Sequence, residues 1–330
     1  MSANPTMNDV AREARVALKT VSRFVNGATN INPALAGRIA AAIKSLGYRR
    51  NLAAASIRPG WTSKTIGLII GDLANPYYST LSRAVETYTR AHGYLLITAS
   101  SDEDGGRHDQ LVDRLMEQRV DGLLVVPPRQ SARDWHDIPP PIPPLVFLDR
   151  PVDFANADTM LADNAGGSRI AVQKLIENGA RRIAFVADSL AVYTMGERYR
   201  GYLGALDQAG IAADAKLVDT GAHNAAEAEE ITKRILTTTD ADAIFAANNR
   251  ASVGALMAFR ELGRRVALIG FDDFEAAPLT EPAVSVVSQD IVEMGYRAAE
   301  ILIDRLAGDS SPNQTHVLPT TLIMRGSERL

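Results

Sequence analysis

The first 47 residues contain short apolar stripes with helical spacing. Apolar side chains recur three and four positions apart, for example at Val10 and Ala14, which places them on one side of a helix. Polar residues and glycine interrupt the stripes. The pattern therefore predicts two short helices within residues 6–26, and a third that begins at Pro33 and ends at Gly47.

From Thr65 onward, short apolar runs alternate with amphipathic segments. The predicted strands are Ile66–Ile70, Tyr94–Thr98, Gly122–Val126, Leu145–Leu148, Ile183–Val186, Ala243–Ala246 and Ala267–Ile269. The predicted helices include Ser79–Ala91, Gly106–Gln118, Ala165–Glu177, Gly196–Ala209, Ala225–Leu236 and Ala251–Leu262. Repeated alternation of strand and helix is typical of parallel sheets covered on both faces, so we predict an α/β body. Roughly 265 residues are many for one such unit, which favours two doubly wound parallel-sheet lobes.

Residues 51–58 separate these two regions. They have good helix propensity, but so short a segment cannot form a stable isolated helix. We predict a helix that forms only with a partner, followed by a linker at Pro59–Ser63.

Charge is divided unevenly along the 330 residues, whose net charge is −4. Residues 1–60 contain nine lysines and arginines and only two acidic residues, Asp9 and Glu13, so they carry +7 and the remaining 270 residues carry −11. A basic head on an acidic body indicates that the head alone binds nucleic acid or a membrane surface.

Composition excludes several other classes of protein. Apolar residues make up 46% and charged residues 22%, as in ordinary globular proteins. No apolar run approaches the roughly 20 residues of a membrane span, and Met1–Thr6 has no export signal, so we expect a cytoplasmic protein. The lack of cysteine excludes disulfides, thiolate metal sites and cysteine catalysis.

Catalytic patterns are also missing from the sequence. The five histidines are scattered without metal-ligand spacing, and no strand is followed by a nucleophile elbow, a P-loop or a dinucleotide-binding glycine motif. Asp102/Asp104 and Asp272/Asp273 are close carboxylates, but the sequence assigns them no acid–base partner. We expect no enzyme activity, no cofactor and no metal.

The basic head contains a long ordered motif. Two short helices joined by a tight turn form the helix-turn-helix pattern, whose second helix enters the major groove. The motif runs Thr6-x-x-Asp9-Val10-Ala11-x-x-Ala14, then Thr20-Val21-Ser22-Arg23 and Asn26, then Ala42-Ile43-x-x-Leu46-Gly47-Tyr48 and Asn51. It resembles the lac/galactose repressor family of bacterial transcription regulators, and this resemblance implies double-stranded operator DNA as a partner.

The resemblance implies DNA-contacting roles for particular side chains. Leu18, Lys19 and Arg23 match the family's base-contacting positions; a lysine can donate to guanine, whereas a leucine offers only an apolar surface. The alternatives are a core position for Leu18 and a phosphate contact for Lys19. Arg38 on the third helix is expected to reach only phosphate. The residues expected at the DNA backbone or in the motif's own geometry are Thr6, Arg15, Ser22, Asn26, Tyr48 and Asn51.

Two residues depart from the family pattern, and the hinge matches it. Arg15 stands where the family usually has Gly, and a left-handed backbone there would cost about 1–2 kcal/mol. Ala17 replaces Ser and loses a helix cap worth about 1 kcal/mol. Residues 51–58 match the family's hinge helix, which implies minor-groove contacts for Ala54 and Ile57, the latter as an apolar wedge. The alternative is a loose linker.

The body resembles the same family's effector domain, which has the periplasmic-binding-protein fold. Matching stretches include Asn75-Pro76-Tyr77-Tyr78, Leu148-Asp149-Arg150, Asp163-Asn164-Ala165-Gly166, Arg198-x-x-Gly201-Tyr202, Ala247-Asn248-Asn249 and Gly270-Phe271-Asp272-Asp273. Such folds hold a ligand between lobes, at the carboxyl ends of the strands. The expected effector-binding residues are Asp72, Tyr77, Tyr78, Asp149, Arg198, His223, Asn248, Asp272 and Gln289.

The chemistry of these residues suits a small hydroxyl-rich effector, such as a sugar or a sugar derivative. Carboxylates and amides at strand ends bind vicinal hydroxyls, and an arginine can make a bidentate contact. The alternatives are an exposed loop position for His223 and a turn-forming role for Asp272. The family usually has Asn-Asp where this chain has Asn248-Asn249, which removes one charge.

We therefore expect a repressor of a carbohydrate-catabolic operon that binds a pseudo-palindromic operator as a homodimer. The predicted domains are a helix-turn-helix head at 1–50, a hinge and linker at 51–63, and an effector and dimerisation body at 64–330. Within the body we expect one lobe at about 64–160 plus 290–322 and another at about 161–289 plus 323–330. One alternative is a regulator controlled by a carrier protein or by a nucleobase or sugar acid. The other is a sugar-binding transport receptor, which the basic head disfavours.

Overall fold

The computed structural model describes residues 5–49, 62–130, 133–154 and 156–329. Within these ranges the chain divides into two compact units, one that ends at Ser63 and one that begins at Lys64. The hinge residues Asn51, Ala54 and Ile57 lie outside the described residues, so their predicted roles stay predictions.

The head is a bundle of three short helices. These are α1 Met7–Ala14, α2 Leu18–Val25 and α3 Pro33–Leu46. Val10, Val21 and Ile39, one from each helix, are fully buried against one another in the small core. Thr6 begins α1 with a capping box: its hydroxyl accepts from the Asp9 N–H, and its own N–H donates to the Asp9 carboxylate at 2.9 Å.

Both departures from the family pattern have structural consequences at the turn between α1 and α2. Arg15 adopts the left-handed conformation, with φ at 51°, and Ala17 begins α2 without a side-chain cap. Arg38 compensates for this strain, because its Nε donates to the Ala14 carbonyl at 2.8 Å and its Nη2 donates to the Arg15 carbonyl at 2.5 Å. The guanidinium lies against the turn and caps the carboxyl end of α1, a role that the sequence did not indicate, while its expected phosphate contact stays a prediction.

The body contains two six-stranded sheets. The strands are β1 Thr65–Ile70, β2 Leu95–Ser100, β3 Gly122–Val125, β4 Leu145–Leu148, β5 Asp158–Ala162, β6 Ile183–Val186, β7 Val218–Asp219, β8 Ala243–Ala246, β9 Ala267–Phe271, β10 Ser285–Gln289, β11 Thr315–Leu318 and β12 Thr320–Ile323. The helices are α4 Pro76–Ala91, α5 Gly105–Glu117, α6 Asn164–Glu177, α7 Tyr193–Gln208, α8 Ala225–Thr238, α9 Asn249–Leu262 and α10 Ile291–Leu306.

Each sheet is the centre of one lobe. The first lobe has the order β11-β5-β4-β3-β1-β2, and all of its strand pairs are parallel. The second has the order β12-β10-β9-β8-β6-β7, in which only β12 is antiparallel to its neighbour. Separate apolar clusters fill both faces of each sheet, as the strand–helix alternation predicts.

The chain passes between the lobes three times, after β5, after β10 and after β11. The last passage lies earlier than expected: β12 at Thr320–Ile323 already pairs with β10 in the second lobe, so the first lobe ends near Leu318 rather than at 322. Pro319 stands between the two strands, and a proline cannot continue the ladder because it has no N–H.

Candidate functional site

A cleft of about 410 Å³ lies in the body where strand ends of both lobes meet. Eight of the nine predicted effector residues line it, namely Asp72, Tyr77, Tyr78, Asp149, Arg198, His223, Asn248 and Asp272. Gln289 does not line it but donates from Nε2 to the Asp272 carboxylate at 2.5 Å. The residues predicted from the sequence motifs therefore lie together around one cleft, except that Gln289 lies behind the lining residue Asp272.

Asp149 and Asp272 occupy equivalent positions in the two lobes. Asp149 follows β4 and Asp272 follows β9, and both have a left-handed backbone with φ at 67°. The N–H of each still donates to the neighbouring strand, to Met160 at 2.9 Å and to Val287 at 2.8 Å. Such strain in non-glycine residues is concentrated at functional sites, and here it turns one carboxylate from each sheet into the cleft.

Arg198 is the centre of a buried polar network in the second lobe. It is 2% exposed, and its Nη1 lies 3.0 Å from the Asp272 carboxylate. The same guanidinium donates to Asn164 Oδ1 at 2.8 Å and to the Ala247 carbonyl at 2.7 Å, and it covers the Phe271 ring at 3.7 Å from the centroid. With these donors satisfied by protein, Arg198 fixes the Asp272 carboxylate in position rather than waiting unpaired for a ligand.

A second network belongs to the first lobe. Arg150 donates to both oxygens of Glu103 at 2.7 Å, and the Tyr77 hydroxyl donates to Asp149 at 3.2 Å. Burial raises the pKa of the Asp149 carboxyl, whereas Arg150 lowers it. Gly71 allows this close packing, since a Cβ there would lie 2.5 Å from a Glu103 oxygen.

Two polar contacts join the lobes across the cleft. Arg250 on α9 pairs with Asp72, which follows β1, and the Asn249 side chain donates to Asn75 Oδ1 at 3.0 Å. Asn249 is the residue that replaces the family's usual aspartate, so this substitution supplies a donor to the opposite lobe. These contacts hold the two lobes together in the present arrangement.

The other second-lobe residues are fixed by local geometry. Asn248 caps α9 by accepting from the Ala251 N–H at 2.7 Å, which leaves its amide N–H₂ on the cleft lining. His223 Nδ1 lies 2.5 Å from an Asp188 oxygen, and its side chain is 48% exposed. His223 is thus both a loop residue, as one alternative held, and part of the cleft wall.

Six charged residues of the cleft lie outside the predicted set: Asp102, Glu103, Arg129, Arg150, Asp188 and Arg250. Arg150 stands directly after Asp149 within a motif matched to the family, and this position in the sequence could have indicated that it lines the cleft. Glu103 and Arg250 carry no local signal, because their ion-pair partners, Arg150 and Asp72, are distant in sequence.

The residues of α2 to which the resemblance assigns base contacts are exposed. Leu18 is 45% exposed, which argues against a core role, and Lys19 and Arg23 are also exposed. Arg23 pairs with Asn30, and Asn26 Nδ2 lies 3.4 Å from Ser22 Oγ.

The remaining expected backbone contacts have structural roles in the head. Thr6 is the cap of α1, and Tyr48 is half-buried against the head core.

Among the helices that the structure describes, none is long and apolar enough to cross a membrane. The same residues contain no group of three or more acidic or histidine side chains placed to hold a metal ion.

Comparison with known proteins agrees with this architecture. Residues 6–51 match the family model "Bacterial regulatory proteins, lacI family", and residues 172–328 match a periplasmic binding protein-like domain. The HTH-type transcriptional regulator GalS of Salmonella typhimurium is 30% identical over 98% of this chain and 96% of its own length.

Two solved structures resemble the full chain. A complex of the transcriptional regulator CelR with cellobiose has a TM-score of 0.71 and 32% identity, and the alignment covers 98% of this chain and 99% of that one. A lac repressor dimer bound to operator and the anti-inducer ONPF has a TM-score of 0.83 at 23% identity, over 99% and 100% of the two chains, and shows a shared fold.

A helix-turn-helix head on a two-lobed body with a polar cleft defines a DNA-binding transcription regulator of the ligand-responsive class. The chain belongs to the lacI family of bacterial regulatory proteins.

Proposed function

We propose that this regulator is a repressor of a carbohydrate-catabolic operon and that a sugar-like polyol in the cleft controls its binding to a pseudo-palindromic operator. The observation that carries the proposal is the pair of strand-end carboxylates, Asp149 and Asp272, which face one cleft from opposite lobes. Carboxylates accept from hydroxyl groups, and the Asn248 amide donates to them. The CelR relative, whose structure contains cellobiose, supports a carbohydrate ligand.

The proposed assembly is a cytoplasmic homodimer. Two-fold protein symmetry suits a site composed of two half-sites, each read by one α2 helix through Leu18, Lys19 and Arg23. The hinge residues Ala54 and Ile57 are proposed at the minor groove, as the resemblance implies, with Asn51 at the backbone. The lac repressor structure, a dimer bound to operator, supports this arrangement.

The proposal includes no catalytic step. Asp72, Asp149 and Asp272 each already accept from an arginine or a tyrosine in the cleft. Carboxylates held in this way suit hydroxyl binding and closure of the lobes better than proton abstraction.

A ligand panel tests the proposed cleft. Full-length protein is screened by thermal unfolding against mono- and disaccharides and their acidic and phosphorylated derivatives, and a ligand at about 100 times its dissociation constant should add about 2.7 kcal/mol of stability. Asp149→Asn, which keeps the shape and tolerates the left-handed backbone, should weaken the active ligand at least tenfold. Asp207→Asn, exposed on α7 and outside the lining, is the matched control. Stabilisation by no ligand of the panel would contradict the proposal and favour control by a carrier protein.

A salt titration tests the head. The logarithm of DNA affinity should fall with the logarithm of salt concentration, by about 0.9 per phosphate contact, because residues 1–60 are strongly basic. A flat salt profile would contradict DNA binding through this surface.

A further inference from the structure

Four arginines line the cleft, and they differ in what they face. Three have a carboxylate partner, in the pairs Arg150–Glu103, Arg198–Asp272 and Arg250–Asp72. The Arg129 guanidinium has no side-chain hydrogen bond or ion pair with any residue in the part of the chain that the structure describes. We propose that Arg129 is an anion subsite, so that the effector carries a carboxylate or phosphate group on its polyhydroxylated body. This inference rests on the proposed function of the cleft.

Arg129 is held in place by its backbone rather than by its side chain. It follows β3 after Pro127 and Pro128, whose rings restrict the backbone. Its N–H donates to Glu103 Oε2 at 3.1 Å, and the Pro127 carbonyl accepts from Arg150 Nη1 at 2.8 Å. The segment is therefore fixed on the Arg150–Glu103 network, and the guanidinium is positioned without being neutralised.

The protein itself offers Arg129 little compensation. Glu103, to which its backbone is bound, has both carboxylate oxygens occupied by Arg150. The Arg129 Nε is buried and has no acceptor among the residues that the structure describes, although buried donors in folded proteins are nearly always paired. An acceptor supplied by the ligand would complete this site.

The geometry of a guanidinium selects the kind of acceptor. Its planar fork matches two oxygens of a carboxylate or phosphate, whereas one hydroxyl satisfies a single donor. The lining contains six carboxylates and four arginines, so an anionic group is favoured only beside a cation that is not already paired. Arg129 in the first lobe meets this condition, while Asp149 and Asp272 remain for the hydroxyl groups.

Matched neutral and anionic probes test the inference. The probes are D-glucose with D-glucuronate, D-galactose with D-galacturonate, and D-ribose with D-ribose 5-phosphate, titrated by calorimetry into the full-length protein. At least one anionic probe should bind at least tenfold more tightly than its neutral partner. Arg129→Gln should remove that difference and leave neutral binding within twofold, and Arg129→Lys should be intermediate. Arg83→Gln, an exposed position on α4, should change neither.

The outcomes separate this inference from the proposed function. If a neutral sugar binds and its acidic partner binds no better, the anion subsite is wrong while the sugar cleft stands. The same conclusion follows if Arg129→Gln keeps the preference for the anion. If no probe of any pair binds, both the subsite and the sugar cleft are contradicted. Carboxylate and phosphate sources are distinguished by whether the uronates or the ribose phosphate shows the effect.

Discussion

Replacing Asp272 by alanine should destabilise the body as well as weaken ligand binding. Asp272 is 7% exposed, and its carboxylate is the acidic partner of Arg198, which is 2% exposed. The substitution leaves a buried guanidinium without a counter-charge and leaves Gln289 Nε2 without its acceptor. The position therefore combines a proposed ligand contact with two structural roles, as the charge partner of Arg198 and as a turn residue with a left-handed backbone.

The expected loss follows from the contacts. Breaking a buried ion pair by removing one partner costs about 3–5 kcal/mol, and alanine in a left-handed backbone adds about 1 kcal/mol. Arg198 keeps Asn164, the Ala247 carbonyl and the face of Phe271, which moderates the loss. We expect the free energy of unfolding to fall by about 3–4 kcal/mol. Asp272→Asn keeps an acceptor and tolerates the backbone, so it should lose only about 1–2 kcal/mol.

Urea unfolding of the full chain, followed by far-ultraviolet circular dichroism, measures these losses. The double variant Asp272→Ala/Arg198→Met should be less destabilised than the sum of its single variants, because the second change removes the unpaired charge. Asp273→Ala is the matched control, since that carboxylate pairs with Arg325 in a partly exposed contact. A loss below about 1 kcal/mol in Asp272→Ala, or strict additivity in the double variant, would refute the reasoning.

Three further predictions concern the head and the acid stability of the body. Lys19→Ala should relax base preference at one position of each half-site, at a cost of about 1–3 kcal/mol there, whereas Arg12→Ala, on the exposed side of α1, should keep the preference. Selection from random duplexes measures the base preference of both variants. Unchanged preference in Lys19→Ala would remove that residue from the base contacts. Arg38→Met should lower the stability of the head by about 1–3 kcal/mol, because it removes a charged donor from the carbonyls of the α1–α2 turn; hydrogen exchange of the α1 amides measures the loss, and unaltered protection would contradict the assignment. The Arg325 guanidinium holds the pKa of Asp273 below its usual 3.8, so that pair contributes stability above about pH 4, and the contribution is lost as pH falls further. In Asp273→Asn the free energy of unfolding should therefore fall less steeply between pH 6 and pH 2 than in the wild type. An identical slope of the free energy of unfolding against pH would contradict this prediction.

The fold could be predicted largely from sequence, since apolar runs in alternation with amphipathic helices determine a parallel α/β body. The elements that the pattern did not assign are β5, β7, β10, β11, β12 and α10. Among them, β7 has two residues, and β11 and β12 are edge strands whose threonines weaken the apolar signal. Short and edge strands depend on pairing with a neighbour, which one sequence does not contain.

The site could be predicted only as far as local motifs reach. Strand-end positions such as Asp149 and Asp272 follow from chain order, because parallel strands end at one edge of a sheet. The pairing of Arg250 with Asp72 joins residues 178 positions apart, and no local pattern indicates it. Arg38 illustrates the same limit: its charge favoured a phosphate contact, but the fold brings it to carbonyls 23 and 24 residues away.

The central claim is that occupancy of the cleft controls DNA binding by the head. Its most direct test is operator affinity with and without saturating amounts of the ligand that most stabilises the full-length protein, using an operator selected from random duplexes. Coupling between the two sites predicts a change in operator affinity of about 5–150-fold, matched by an equal change in ligand affinity when operator is present. Operator affinity that stays the same at saturating ligand would contradict the account.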